Sequence, residues 1–188
     1  NIILKNGYVE SDGGAIYNKG ELTITGSTLN NNKSKWGGAI YNDKGELTIT
    51  SSTLSGNTAT YDGGAIHNYK GELTITGSTL NNNTAKTDGG AIRNSSELTV
   101  TESTFNENTA QGTNWYDGGG AIDNSSELTI IESTLINNTA QGGGGAIHNR
   151  GELTITESTL TGNTAYDGGA IYSGNKIHMN NCILINKS

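Results

Sequence analysis

Proline is absent from this 188-residue chain, and cysteine, methionine and phenylalanine occur once each. Without proline there is no collagen-like, polyproline or Pro-rich linker segment. The single Cys182 allows no intrachain disulfide and no thiolate cluster for zinc. Large apolar residues are also scarce: Leu, Ile, Val and Phe total 35, about 19% of the chain, just under the level associated with disorder. The high net charge that accompanies disorder is missing, because 11 basic residues stand against 18 acidic ones, for a net charge of −7. That balance also argues against nucleic acid as the main partner. No apolar run approaches the roughly 18 residues of a membrane-spanning helix, so no membrane insertion by this segment is expected. There is no initiator Met and no secretory leader, from which we expect a processed piece of a longer repeat protein.

The composition is dominated by 28 Gly, 26 Thr and 25 Asn, and a repeat accounts for it. Gly-Gly-Ala-Ile occurs seven times, with its alanine at Ala15, Ala39, Ala65, Ala91, Ala121, Ala146 and Ala170, at spacings of 24 to 30 residues. Glu-Leu-Thr-Ile/Val begins at Glu21, Glu46, Glu72, Glu97, Glu127 and Glu152. Ser-Thr-Leu/Phe ends at Leu29, Leu54, Leu80, Phe105, Leu135 and Leu160.

Each unit holds three short segments that read as strands. Leu22-Thr23-Ile24-Thr25 alternates apolar and polar, the period of a half-buried strand. The segments around Leu29 and Ile16 are similarly short, and Gly- or Asn-rich turns separate them. No helical stripe is present. A unit of this size cannot bury its own apolar face, but stacked copies can, at about 4.8 Å per coil. The expected fold is an all-β, right-handed parallel β-helix of about seven coils, with three short strands per coil and a period of 24–30 residues. It forms a single domain over residues 1–188, a rod on the order of 34 Å long.

Variation within the repeat assigns positions. Leu22, Ile24, Leu29, Ile16 and their copies stay apolar and should face inward. The next slot changes freely (Tyr17, Tyr41, His67, Arg93, Asp123, His148, Tyr172), which places it outside. Two residues beyond Ile16, on the inward face, runs a structural ladder of Asn18, Asn42, Asn68, Asn94, Asn124 and Asn149. A second Asn column runs from Asn32 to Asn163.

These motifs resemble the repeats of the polymorphic membrane protein family of bacterial autotransporter adhesins, marked by Gly-Gly-Ala-Ile and Phe-x-x-Asn. The first motif is present seven times. The second appears as Phe105 to Asn108 and, with Leu for Phe, at sites such as Leu54 to Asn57 and Leu160 to Asn163. Similar repeats mark adhesin-like surface proteins of methanogenic archaea and other microbes. The resemblance covers essentially the whole chain. It implies a secreted right-handed β-helix, extracellular or on the cell surface.

Polysaccharide-active enzymes also use β-helices, but they need a local cluster of acids or bound calcium. Here the acids recur with the repeat. The Glu21 column reads as a solvated charge face relieved by Lys19, Lys44, Lys70 and Arg150, with weak Ca²⁺ binding as its alternative. Glu102, Glu132 and Glu157 form a shorter column with nothing to set one apart as acid and another as nucleophile. Asp12, Asp62, Asp88, Asp117 and Asp167 fit turn chemistry. His67 and His148 are too far apart to share a metal. No catalytic residue, resident metal or cofactor is assigned, and a non-enzymatic protein is expected.

Two outer features remain. The first is a threonine grid: Thr23/Thr25, Thr48/Thr50, Thr74/Thr76, Thr99/Thr101 and Thr154/Thr156, broken at Thr129/Ile131. It resembles the ice-binding faces of β-helical antifreeze proteins, although Thr is also the ordinary exposed β-former. The second is exposed aromatics: Tyr17, Tyr41, Tyr172, Trp36, and Trp115 with Tyr116 in the longest repeat. These are the candidate ligand contacts. The sequence thus points to an adhesin-like structural or binding stalk whose partner is a host or neighbouring-cell surface protein or a glycan. End-to-end self-association is a further expectation. Ice binding is the alternative, and a fragment of a polysaccharide-active enzyme the second alternative.

Overall fold

The computed structural model describes residues 1–114 and 116–186. Its architecture is set by one requirement, that like residues in successive repeats lie side by side. Leu22, Leu47, Leu73, Leu98, Leu128 and Leu153 are direct cross-strand partners, and so are Ile24, Ile49, Ile75, Val100, Ile130 and Ile155. Every pairing among the described residues is parallel and joins one coil to the next.

The coils stack into long sheets. One has seven strands and contains Ile16–Asn18; we call it the Ile-x-Asn sheet. A second seven-stranded sheet contains Glu21–Thr25, the Glu-Leu-Thr sheet. An eight-stranded sheet contains Thr28–Asn30, the Thr-Leu sheet. A fourth sheet, not anticipated from the sequence, has five two-residue strands such as Thr58–Ala59. Two residues cannot show an alternation, so these strands read as turn until a stacked neighbour pairs with them. Leu29, Ile40, Leu54, Ile66 and their copies in the inner coils are fully buried, with Phe105 in a leucine slot, while Leu4, Ile16 and Ile171 in the end coils are half-buried and Leu184 is exposed. Each such side chain gains about 1.5–3 kcal/mol from burial.

The polar interior is as regular as the apolar one. Asn18 Nδ2 donates to Asn42 Oδ1 at 2.8 Å, and the relay continues through Asn68, Asn94 and Asn124 to Asn149 at 2.8–2.9 Å. Asn32, Asn57, Asn83, Asn108, Asn138 and Asn163 do the same at 2.9–3.0 Å, and each of these amides also donates to a backbone carbonyl of the preceding coil. A serine column not read from the sequence forms a third relay. Backbone N–H groups of Ser27, Ser52, Ser78, Ser103 and Ser133 donate to the next serine Oγ at 3.1 Å. Cys182 occupies the same slot in the last coil, half-buried against the core.

Corners need left-handed backbone. Glu102, Glu132 and Glu157 sit exposed at one such corner, with φ of 50°, 49° and 52°, in the slot that Gly26 and Gly77 fill elsewhere. The first glycine of each Gly-Gly pair is constrained twice. Gly89 has φ +64°, and a Cβ there would lie 2.1 Å from the carbonyl oxygen of Ile92. Gly77 has φ +56°, and its nearest neighbour would be 3.8 Å away. Gly77→Ala should therefore cost about 1 kcal/mol, the left-handed penalty alone. Gly89→Ala should exceed about 3 kcal/mol, because backbone must also move. Urea unfolding of the two variants measures the difference, and equal losses would show that the close approach carries no weight.

Candidate recognition face

The outward side of the Ile-x-Asn sheet is where the repeat breaks down chemically. Its central column is Tyr17, Tyr41, His67, Arg93, Asp123, His148 and Tyr172, each in register with the next. The sequence pattern places this column outside. The side chains do point away from the core, but His67, Asp123 and His148 are 7%, 0% and 1% exposed, whereas Tyr17 is 46% exposed. The correction has a non-local cause. Aromatic neighbours pack on His67, Arg150 pairs with Asp123 and reaches the Tyr116 carbonyl of the segment inserted in the 30-residue repeat, and the Tyr172 ring packs on His148.

The first four coils form an aromatic half. Tyr17 stacks on Tyr41 at 5.3 Å between centroids, and Tyr41 lies 5.1 Å from His67 and 6.1 Å from Tyr69. Trp36 stacks on Tyr61, with the Lys35 ammonium 4.2 Å over the indole. Tyr17 donates its hydroxyl proton to Asp43, which also pairs with Lys19. Trp36, Tyr41, His67, Tyr69, Asp12, Asp62, Arg93 and Ser95 line an open cavity of about 390 Å³. Two buried polar atoms at this cavity, His67 Nδ1 and Asp12 Oδ1, have no hydrogen-bond partner. Such a group left unpaired costs about 1–3 kcal/mol. Burial, helped by the Arg93 charge, pushes the His67 imidazole down to about 3, so it is neutral at physiological pH. Burial also raises Asp12 and Asp62 above the ordinary carboxylate range, and raises the Tyr41 phenol.

Coils four to six form an ionic half. Asp123 accepts from Arg93, from Arg150 Nη2 at 2.7 Å, and pairs with His148 Nδ1 at 2.8 Å. Arg150 also reaches the Tyr116 carbonyl at 2.6 Å and lies 3.5 Å from Asp88 Oδ2. Arg150, expected from its spacing to relieve the Glu column, instead neutralises buried Asp123. Asp88 Oδ1 accepts the Gly118 N–H at 2.9 Å, and Asp62 Oδ1 accepts the Asp88 N–H at 3.3 Å. These two aspartates bridge coils rather than cap their own turns. Asp117 keeps a turn role, its Oδ2 accepting from the Asn114 backbone and side chain. Burial first, then the Asp123 charge, pushes Asp88 up to about 7.

The geometry can now be set beside known proteins. The family model for the right-handed β-helix region matches residues 12–187. The chain belongs to the right-handed β-helix family. No curated protein and no solved structure matches it.

On this right-handed β-helix the candidate contacts separate. Trp36 and Tyr41 share the cavity and Tyr17 extends it along the rod, while Tyr172 lies beyond His148, 5.2 Å from its ring. Tyr116 is half exposed on the inserted segment, and Trp115 lies outside the described residues. Tyr69 does not stand out in the sequence, since it occurs once in a slot otherwise held by Lys19, Asp43, Ser95, Ser125, Arg150 and Gly174, and His67 stands out there only as a histidine without a metal partner.

The threonines form columns on the outer side of the Glu-Leu-Thr sheet. Thr23, Thr48, Thr74, Thr99, Thr129 and Thr154 are in register, as are Thr25, Thr50, Thr76 and Thr101 up to Ile131. Thr156 stands in that second column beyond the break at Ile131 that the sequence shows. Parallel register sets Thr156 directly against Ile131 on one side and Asn180 on the other, so it touches no threonine of its own column. It is also only half-exposed, as are Thr48, Thr50, Thr74, Thr76, Thr99, Thr101 and Thr154, because each lies between strands of the coils on either side. Thr23 and Thr25, in the first strand of the sheet, are exposed. A third column on the Thr-Leu sheet joins Thr28, Thr53, Thr79, Thr104, Thr134 and Thr159. Among the described residues, no three His, Cys, Asp or Glu side chains are grouped to hold a metal ion.

The buried groups bias stability in opposite directions with pH. Asp88 has its pKa raised from 3.8 to about 7, so its contribution is full below pH 4 and is lost as pH rises to 7. His67 is lowered from 6.5 to about 3, so its contribution is full above pH 6.5 and is lost as pH falls toward 3. Relative to wild type, Asp88→Asn should gain stability steadily from pH 4 to 7, and His67→Phe should gain it as pH drops from 6.5. Urea midpoints across that range test both slopes.

Proposed function

We propose that this β-helix is a non-enzymatic recognition rod of a secreted or cell-surface protein, of the adhesin-like kind its repeats resemble. It binds a surface glycan through the outward side of the Ile-x-Asn sheet. One observation supports this reading above others: a cavity with three aromatic side chains, Trp36, Tyr41 and Tyr69, carries two buried polar atoms with no partner. Aromatic rings give flat apolar contact, and unpaired polar atoms ask for a ligand that brings its own donors and acceptors. The threonine-bearing faces, by contrast, largely repeat from coil to coil.

The test is binding of labelled rod to immobilised cellulose, mannan and mucin. The double variant Tyr41→Ala/Tyr69→Ala should lose at least about tenfold in affinity. Thr48→Ala/Thr74→Ala should bind as wild type. Absence of binding across the panel, or equal loss in both variants, would sink the reading. Release of new reducing ends from any of these polymers would overturn its non-enzymatic part.

The register of three threonine columns favours a second reading, ice binding. Ile131 interrupts one column and isolates Thr156, and His178 and Asn180 end the pair on the Glu-Leu-Thr sheet. A thermal-hysteresis assay at high protein concentration separates the readings. The glycan reading expects no hysteresis and unshaped ice crystals.

A further inference from the structure

We propose that the cavity bounded by Trp36, Tyr41, His67 and Tyr69 holds the end of an uncharged saccharide chain. Arg150 and the segment it pins stop the chain beyond Arg93. This rests on the glycan reading above and specifies its ligand.

The cavity, about 390 Å³, is within the usual range of small-molecule sites, about 300–1,000 Å³. Its lining residues combine ring faces with His67 and Asp12, each of which carries a buried polar atom without a partner, Nδ1 and Oδ1. A sugar hydroxyl both donates and accepts, so it satisfies the imidazole nitrogen in either tautomer and the carboxylate oxygen as donor. His67 itself is more than nine-tenths buried.

Charge selects against acidic sugars. Arg93, the one cationic side chain lining the cavity among the described residues, is already paired with Asp123 and hydrogen-bonded to Ser125. Lys35 lies over the Trp36 and Tyr61 rings. Asp12 and Asp62 stand in the same wall. A uronate carboxylate would meet two acids and no uncommitted cation there. Neutral His67 gives it no counter-charge either.

Closure sets the mode of binding. Along the central column the surface is open at Tyr17 and shut at Asp123 and His148. The Arg150 guanidinium spans from Asp123, the residue next to Arg93 in the column, to the Tyr116 carbonyl. Asn114 and Asp117 brace the segment from below, where Gly142 leaves no room for a Cβ. A chain can leave toward Tyr17 but not toward His148, so its terminal unit sits against Arg93.

Calorimetry with cellotetraose, cellohexaose, maltohexaose and chitohexaose, and with oligogalacturonate as the acidic control, tests this. The expected result is binding of at least one uncharged series with an affinity per chain that does not grow with length. Tyr69→Ala, a half-exposed position that leaves the core intact, should weaken it by about tenfold, and His67→Phe should weaken it as well. Affinity rising in proportion to chain length would overturn end recognition while leaving the glycan reading standing. Tighter binding of oligogalacturonate would overturn the uncharged class. Failure of every oligosaccharide while wild-type rod still binds an immobilised polymer would also overturn the proposal, whereas loss of both would remove the glycan reading itself.

Discussion

The structure depends on the buried asparagine amide. A side chain with two donors and a carbonyl oxygen, taken out of water, must find partners of matching geometry or lose stability. Here the partner is the same side chain one coil away. That condition propagates, because each asparagine that gives its Nδ2 to the next coil also requires an asparagine behind it. Two columns obey it almost end to end, and the serine column adds a third. Together they hold the register that puts leucine on leucine and isoleucine on isoleucine. A one-residue slip would turn the apolar set outward and orphan every amide at once.

The same condition decides where the chain can vary. Repeat length runs from 24 to 30 residues, yet the asparagine contacts across the longest repeat remain 2.8 Å for Asn94 to Asn124 and 2.9 Å for Asn108 to Asn138. The extra residues fall between Ala110 and Gly118, outside both ladders. The insertion is tied to the Ile-x-Asn side through the Tyr116 carbonyl, which accepts from Arg150. Asp123, which repeats as an outward residue, becomes fully buried and needs Arg93, Arg150 and His148 to remain tolerable as a charge.

The fold was legible because stacking makes every coil report the same constraint. Period, coil number, inward leucines and both asparagine columns follow from which positions stay constant. Turn glycines were legible as turns, but the clash at Gly89 depends on a carbonyl that no local pattern reveals. The candidate recognition face was only partly legible. Tyr17, Tyr41 and Trp36 stood out as aromatics in outward slots. Tyr69 did not, because its slot is otherwise held by Lys19, Asp43, Ser95, Ser125, Arg150 and Gly174, and His67 stood out only as a histidine without a metal partner. The burial of Asp123 and His148 was hidden for a stronger reason. Exposure in one coil is set by side chains that reach across from others, Arg150 onto Asp123 and Tyr172 onto His148.

A solenoid whose coils were all alike would present the same surface at every height, and a ligand bound anywhere could bind everywhere. Specific recognition on such a rod has to come from departures from the repeat, and the ladders confine large departures to segments outside them. In this protein the largest insertion adjoins the one outward sheet face with aromatic, acidic and unpaired polar side chains. The threonine faces lack such an insertion, and two of their columns keep register over six coils. The buried amides thus do more than hold the rod together. By forbidding irregularity inside, they place the chain's only large irregularity against the face where a cavity can be closed at one end.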